Sequence, residues 1–213
     1  MTEKNILEVI RILKKTYPTT KIALKFRNHW QLLVATILSA QCTDKQVNII
    51  TKNLFKKYLL IKDYAKADLK EFELDIKSAG FYRNKAKNII NTAKIITKTK
   101  AGTVPKTMEE LLELPGVARK TANIVLYNAF KKNEGIAVDT HVRRISKLLG
   151  LTENHNPDKI ERDLIGIVPR HYWGQLNHLL VFHGRRFCIA NRPKCLLCPL
   201  KKLCFYGKLK LKD

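Results

Sequence analysis

The sequence predicts an all-α fold for this chain of 213 residues. Apolar residues recur at helical spacing through most of it, and no stretch alternates apolar and polar residues as a half-buried strand does. Residues that end helices fall between these periodic segments, as at Pro18 and in the break over 102–105. No apolar run approaches the roughly 20 residues that a membrane span needs. We therefore expect packed helices and no membrane association.

The helices predicted in the first half of the chain each carry an apolar face. They are expected over residues 6–17, 30–38, 44–58, 67–74, 75–79 and 84–97. The second of these is strongly apolar throughout, which is typical of a buried helix. Thr43 or Asp44 is the expected N-cap of the third, because a side-chain oxygen there accepts a hydrogen bond from the first turn.

A tight turn at Pro115-Gly116 joins two further helical patterns within residues 108–130. Proline fixes φ and glycine accepts positive φ, so this pair favours a hairpin between the two helices. The backbone N–H groups of the hairpin and the N-terminus of the second helix form a site suited to phosphate. Lys120 lies in the first turn of that helix, and Asp139 follows 19 residues later, just before another helical pattern.

The remaining predicted helices cover residues 141–149, 157–167 and 171–183. The basic tail over 208–212 is expected to be a frayed, solvated end.

The charge balance favours a polyanionic partner. Lys and Arg number 41 against 18 acidic residues, giving a formal net charge of +23 and a pI near 9.9. Clustered cations gain affinity for nucleic acid by releasing counterions from its phosphates. The alternative is compositional, because the surplus is mostly Lys in a chain also rich in Ile and Asn. No secretory signal pattern opens the sequence, so a cytoplasmic, nucleoid-associated location is expected.

Four of the five cysteines lie close together near the C-terminus, with the spacing C-x6-C-x2-C-x5-C. They are Cys188, Cys195, Cys198 and Cys204. Without a secretory signal, metal binding is favoured over disulfides. Four thiolates suit tetrahedral zinc or a [4Fe–4S] cluster, and the presence of one close pair rather than two favours iron–sulfur. Cys42 stands apart and is expected to be an ordinary, small, buried residue.

The hairpin, the lysine, the Val138–His141 stretch and the cysteine spacing together resemble the endonuclease III family, DNA base-excision glycosylases of the helix-hairpin-helix superfamily. The resemblance runs from Leu32 through Cys204 and includes the stretches 38–44 and 79–86. It implies two helical domains flanking a DNA-binding groove. One is a six-helix barrel over 22–132 that contains the hairpin unit. The other joins 1–21 to 133–213 and carries a [4Fe–4S] cluster in the loop over 188–204.

The resemblance also implies roles for individual residues. Lys120 and Asp139 are the expected catalytic pair, and Asp44 and His141 are expected to line the pocket for the base. The residues expected to contact DNA are Gln41, Phe81, Leu114, Gly116, Ala118, Arg119, Arg186, Arg192 and Lys194. Several have structural alternatives: Asp139 is also a suitable N-cap, and Gln41 could make a hydrogen bond at a helix end. Phe81 could be core, and the basic residues of the cysteine loop could offset the thiolates.

Two positions depart from the family pattern. Ala118 stands where the family hairpin usually has Gly, which would cost about 1 kcal/mol if this residue needs positive φ. Phe81 stands where the family typically has Leu as an apolar wedge, and a phenyl ring there can also fill a vacated base position. Lys120 separates the chain from two groups of relatives. Adenine glycosylases typically have Ser at this position, and thymine-mismatch glycosylases often have Tyr.

The expected function is therefore a base-excision-repair DNA glycosylase with AP lyase activity, acting on oxidised pyrimidines. Its expected partner is double-stranded DNA with damaged bases or abasic sites, bound by a monomeric chain. The alternatives are a thymine or uracil mismatch glycosylase on the same scaffold, and a DNA-binding cluster protein without catalysis.

Overall fold

The fold is all-α in the computed structural model, which describes residues 3–99 and 101–210 and has no strand within them. The chain divides into two compact units. One comprises Ile22–Lys132, and the other joins the N-terminal segment through Lys21 to the segment from Asn133 onward. No helix within the described ranges is long and apolar enough to cross a membrane.

The unit Ile22–Lys132 is built from seven helices in its described residues. They are α2 (His29–Leu38), α3 (Asp44–Lys57), α4 (Ile61–Lys66), α5 (Leu69–Asp75), α6 (Tyr82–Thr99), α7 (Met108–Leu112) and α8 (Arg119–Phe130). Helix α2 is buried from Trp30 to Leu38, as its apolar sequence predicts. Aromatic rings fill one part of the core, where neighbouring centroids among Trp30, Tyr58, Tyr64 and Phe72 lie 5.1–5.9 Å apart.

The second unit has its own core and contains α1 (Glu3–Thr16), α9 (Thr140–Leu149), α10 (Pro157–Ile165), α11 (Trp173–Arg186) and α12 (Phe205–Lys210). Single 3-10 turns lie at Arg170–Tyr172 and Cys195–Leu197. The apolar face predicted for the first helix is buried against this core, from Ile6 to Tyr17. The tail predicted to fray over 208–212 lies within α12 as far as residue 210, and residues 211 and 212 are outside the described residues.

Most predicted helices are confirmed, but one predicted helix is absent and one helix of the structure was not predicted. The helix predicted over 75–79 is absent, because Asp75 ends α5 and residues 76–79 form a turn in which Ala79 N–H donates to the carbonyl of Ile76 over 2.8 Å. Helix α4 was not predicted, because its six residues are too few to show a periodic pattern. Its start is fixed by the Asp63 carboxylate, which accepts from the N–H groups of Leu59 and Leu60 over 3.0 and 2.8 Å.

Candidate DNA-binding and catalytic site

The hairpin between α7 and α8 has the geometry that its sequence predicts. Gly116 has φ = 78°, the left-handed region that favours glycine. Ala118 has φ = −90° and is the N-cap of α8. The predicted cost of Ala at this position does not arise, because an ordinary L residue adopts this conformation without strain.

Helix α6 holds the hairpin in place. The Thr92 hydroxyl donates to the carbonyl of Pro115 over 3.0 Å. A Cβ added to Gly116 would lie 2.8 Å from the Asn88 amide nitrogen, so the glycine lets the turn lie directly on α6. The side chain of Leu114 is buried in the core, so only the backbone of this residue is placed to contact DNA.

We expect Gly116→Ala to weaken both the hairpin and DNA binding. Positive φ costs an L residue about 1–2 kcal/mol, and the new methyl group must displace Asn88. Thermal unfolding and the affinity for a duplex with an abasic analogue measure the two effects. Gly102→Ala is the matched control, because Gly102 also has positive φ (73°) but no heavy atom near the added Cβ. Equal loss of DNA affinity in both variants would contradict a specific role for the Gly116 turn.

Lys120 is exposed in the first turn of α8, two residues after the hairpin. No side chain caps this helix at Ala118. The first N–H groups of α8, which carry the positive end of its dipole, therefore lie next to the exposed side chains of Arg119 and Lys120. This arrangement places an amine beside a helix end suited to bind an anion.

Asp139 is the N-cap of α9 and belongs to the other unit. Its Oδ1 accepts a hydrogen bond from Val142 N–H over 2.8 Å, so the structural alternative for this residue is confirmed. Capping occupies one carboxylate oxygen and fixes the side chain, which does not conflict with a chemical role for the group. The catalytic assignment of Asp139 stays a prediction.

Gln41 and Phe81 share an uncommon backbone conformation. Their φ angles are 50° and 57°, both in the left-handed region, and both side chains are exposed. Phe81 is 65% exposed, so the core alternative for this residue is wrong. Strained non-glycine residues that also expose large side chains are typical of functional sites.

Asp44 and His141, predicted to line a base pocket, each lie in the first turn of a helix. Asp44 is half-buried at the start of α3, where Thr43 is the N-cap. The ring of His141 packs directly on α11, so closely that a Cβ added to Gly184 would overlap its Nδ1. His141 also lies 3.3 Å from a guanidinium nitrogen of Arg144. The pocket roles of both residues stay predictions.

The four C-terminal cysteines line one cavity, together with His183 and apolar residues of α9. Burial raises the pKa of the Cys188 and Cys204 thiols, and raises that of Cys198 to about 11. Neighbouring cysteines of the group contribute to each of these shifts. Among the described residues, no three His, Cys, Asp or Glu side chains are arranged to hold a single metal ion.

Hydrogen bonds from outside the cysteine group fix its position. A guanidinium nitrogen of Arg144 donates to the Cys188 carbonyl over 2.8 Å, and Gly207 N–H lies 3.3 Å from Cys204 Sγ. His183 lies between Tyr17 and Cys198, with its Nδ1 3.2 Å from the tyrosine hydroxyl and its Nε2 3.5 Å from Cys198 Sγ. Burial lowers the pKa of His183 to about 4, so its ring is neutral at neutral pH.

The cysteine segment also exposes basic side chains. Arg186 ends α11, while Arg192 and Lys194 lie in the loop between the first two cysteines, and all three are exposed. Their exposure suits them to contact phosphate, as predicted, although that contact stays a prediction.

Three residues of α6 with a part in the site were not identified from the sequence. Thr92 donates a hydrogen bond to the hairpin, Asn88 packs against Gly116, and the ammonium of Lys85 is buried against the end of α2. A signal was present for Lys85, since it shares the apolar stripe of α6 with Ile89 and Ile96. A lysine on such a stripe is a reason to expect a buried, hydrogen-bonded charge.

The fold and this set of residues define a helix-hairpin-helix protein of DNA repair. The pattern of the HhH-GPD superfamily of base excision DNA repair proteins matches residues 34–170. Endonuclease III of Synechocystis sp. is 49% identical over 92% of this chain and 90% of its own. Endonuclease III of Bacillus subtilis is 46% identical over 90% of this chain and 88% of its own.

A solved structure extends the comparison over the whole fold. A trapped covalent intermediate of an endonuclease III with DNA superimposes with a TM-score of 0.93, at 42% identity, over 99% of both chains. The chain belongs to the endonuclease III family within the HhH-GPD superfamily.

Proposed function

We propose that this chain removes oxidised pyrimidines from duplex DNA, working at the nucleoid in the cytoplasm. It is a base-excision-repair enzyme, a bifunctional DNA glycosylase and AP lyase. The observation that carries the proposed mechanism is Lys120, exposed in the first turn of α8 directly after the phosphate-binding hairpin. The solved relative captured as a covalent intermediate with DNA supports a nucleophile of this kind.

In the proposed reaction, the Lys120 amine attacks the sugar carbon that bears the damaged base. A bond forms from Nζ to that carbon, and the base leaves with the electrons of the glycosidic bond. The sugar ring opens to a Schiff base, which makes the neighbouring C2′ proton acidic. Loss of that proton expels the 3′ phosphate by β-elimination, and water then releases the lysine.

Asp139 is proposed to accept the proton that the attacking amine loses, or to stabilise positive charge on the sugar as the glycosidic bond breaks. Its N-cap hydrogen bond to Val142 supports this role by holding the carboxylate in one orientation.

The base must leave the stack before this chemistry begins, because its glycosidic bond is shielded inside the duplex. Gln41 and Phe81 are proposed to fill the space that the flipped nucleotide leaves. An amide can form hydrogen bonds with the orphaned partner base, and a phenyl ring can stack between neighbouring bases. Their exposure and left-handed backbone conformation support the assignment.

The cysteine cavity fits a [4Fe–4S] cluster, and Cys188, Cys195, Cys198 and Cys204 would hold it. The donor set supplies four sulfur ligands around one cavity, and the Gly207 N–H is aimed at one of them. Such a cluster supplies no open coordination site when bound by four thiolates. We therefore assign it the structural role of holding the loop that exposes Arg192 and Lys194.

We expect Cys198→Ser to lose the cluster and to destabilise the unit that carries it. Loss of a bound metal is one of the few changes that can lower the free energy of unfolding by more than about 4 kcal/mol. The measurement is visible absorption and iron content after anaerobic purification, together with thermal unfolding. Cys42→Ser is the matched control, since Cys42 lies in the other unit, and it should keep a yellow-brown colour. A colourless wild-type preparation with stoichiometric zinc would contradict the cluster assignment.

The proposed function is tested by incubating the wild-type enzyme with duplexes that contain thymine glycol, a G·T mismatch or uracil. We expect base release and a borohydride-trapped adduct on the thymine glycol duplex. Release of intact thymine from the mismatch, without strand cleavage, would instead indicate a mismatch glycosylase. DNA binding without base release on any duplex would indicate a protein that has lost the chemistry.

A further inference from the structure

Two exposed turns of the unit Ile22–Lys132 lie in direct contact. We call residues 39–43 the Gln41 turn and residues 77–82 the Phe81 turn. A Cβ added to Gly80 would lie 3.3 Å from the carbonyl oxygen of Gln41, so the two backbones touch. The amide of Gln46, at the start of α3, donates to the Ser78 hydroxyl over 2.8 Å. The two turns therefore form one surface.

A buried lysine joins these turns from beneath. Lys85 lies in the first turn of α6 and is only 5% exposed. Its ammonium donates to the carbonyls of Leu38 and Ala40 over 2.8 and 2.6 Å. Carbonyls at the end of a helix have no partner within the helix, and they form the negative end of its dipole. Lys85 thus ties the end of α2 to the beginning of α6.

Burying this ammonium is unfavourable, because the charge loses its hydration. Burial lowers the pKa of Lys85. An apolar side chain of similar length would avoid this desolvation, but it would leave the carbonyls of Leu38, at the end of α2, and Ala40, in the Gln41 turn, without this donor. The ammonium is therefore well explained as a tie between two segments that must not separate.

The two turns need such a tie, because each contains a strained residue. Gln41 (φ 50°) and Phe81 (φ 57°) are both non-glycine residues in the left-handed region. A residue keeps this conformation only where the surrounding structure imposes it. Lys85 N–H also donates to the Phe81 carbonyl over 3.2 Å, the first backbone hydrogen bond of α6, which places the lysine one helical turn after Phe81.

We propose that Lys85 is a positioning residue that holds Gln41 and Phe81 at a fixed separation, so that both side chains enter the duplex together. This inference rests on the proposed function, in which these two side chains replace the flipped nucleotide. The consequence is specific to duplex DNA. An abasic site in a single strand has no stack to open, and its cleavage needs Lys120 without the two wedge residues.

The test compares single-turnover β-elimination at an abasic site in duplex and in single-stranded DNA, at saturating enzyme. The variant is Lys85→Met, which removes the ammonium and keeps the aliphatic stem. Lys94→Met is the matched control, an exposed lysine on the same helix. We expect Lys85→Met to lower the duplex rate about 10- to 100-fold, as a small misplacement of a reacting group does, and to leave the single-strand rate within about twofold.

A second readout follows the opening of the stack itself. The fluorescence of 2-aminopurine beside an abasic analogue should rise on binding of wild type and Lys94→Met, and should rise little with Lys85→Met. Placing the abasic site in an unpaired bubble should restore the Lys85→Met rate, because the bubble removes the need to unstack. An equal loss on duplex, bubble and single strand would show general damage to the fold and would overturn the inference, as would an unchanged duplex rate.

Gly80→Ala keeps the inference testable if Lys85→Met does not fold. The new Cβ pushes against the Gln41 carbonyl and leaves the ammonium in place. A selective fall in the duplex rate supports the inference, and a wild-type duplex rate overturns it. Failure of the proposed function gives a different result: wild type forms no adduct on any abasic DNA, or Phe81→Ala keeps the full duplex rate.

Discussion

Lys120→Gln is expected to abolish the borohydride-trapped adduct on thymine glycol DNA, while wild type is trapped. Glutamine keeps the length and polarity of the side chain but has no amine to form a Schiff base. Because the covalent step supplies both base release and strand cleavage in the proposed mechanism, both activities should fall together. Loss of a catalytic nucleophile lowers turnover by as much as about 10⁶-fold in a well-studied hydrolase, and this is the scale expected here.

DNA binding should be largely retained in Lys120→Gln. Retained binding without an adduct would show that the variant has lost the reaction rather than a contact with DNA. The proposed phosphate site uses the hairpin backbone, and Gly116 and Ala118 are unchanged in this variant. Lys131→Gln is the matched control, an exposed lysine at the other end of α8, and it should be trapped normally. Base release by wild type without any adduct would make the enzyme monofunctional and would move the chemistry to Asp139 and water.

The parts of the site that sequence reasoning identified are those encoded by local patterns. Pro115-Gly116 between two apolar periodicities is enough to predict the hairpin, since turn chemistry and helix periodicity depend on near neighbours. The spacing of the four cysteines is likewise a local feature, and the structure brings all four to one cavity. The buried helix α2 follows directly from its uninterrupted apolar sequence.

The parts that were missed depend on contacts between distant segments. The left-handed conformation of Phe81 occurs where the Phe81 turn packs against the Gln41 turn. The sequence near Phe81 gives no sign of this contact between distant segments. Lys85 reaches carbonyls 45 and 47 positions earlier in the chain. Whether Ala118 needs positive φ was likewise left open by the sequence, and the structure answers it: the left-handed conformation in the hairpin falls on Gly116, while Ala118 has φ = −90°.

Asp139→Asn is expected to lower the rate of base release about 10²- to 10⁴-fold, the usual contribution of a positioned acid or base. The fold should be unaffected, because Asn caps a helix as well as Asp does, and its amide oxygen can accept from Val142 N–H in the same way. The substitution therefore removes the negative charge and keeps the cap. Single-turnover base release from thymine glycol DNA and thermal unfolding measure the two properties separately.

Two further variants distinguish a catalytic role of Asp139 from a role in capping α9 alone. Asp139→Ala removes the charge and the cap together, and should lower stability by about 0.5–2 kcal/mol in addition to the loss of activity. Asp158→Asn, in the first turn of α10, changes an exposed carboxylate beside another N-cap and should leave both properties unchanged. If Asp139→Asn released the base at the wild-type rate while Asp139→Ala unfolded earlier, Asp139 would be a helix cap only. Base release would then have to rely on another proton acceptor for Lys120.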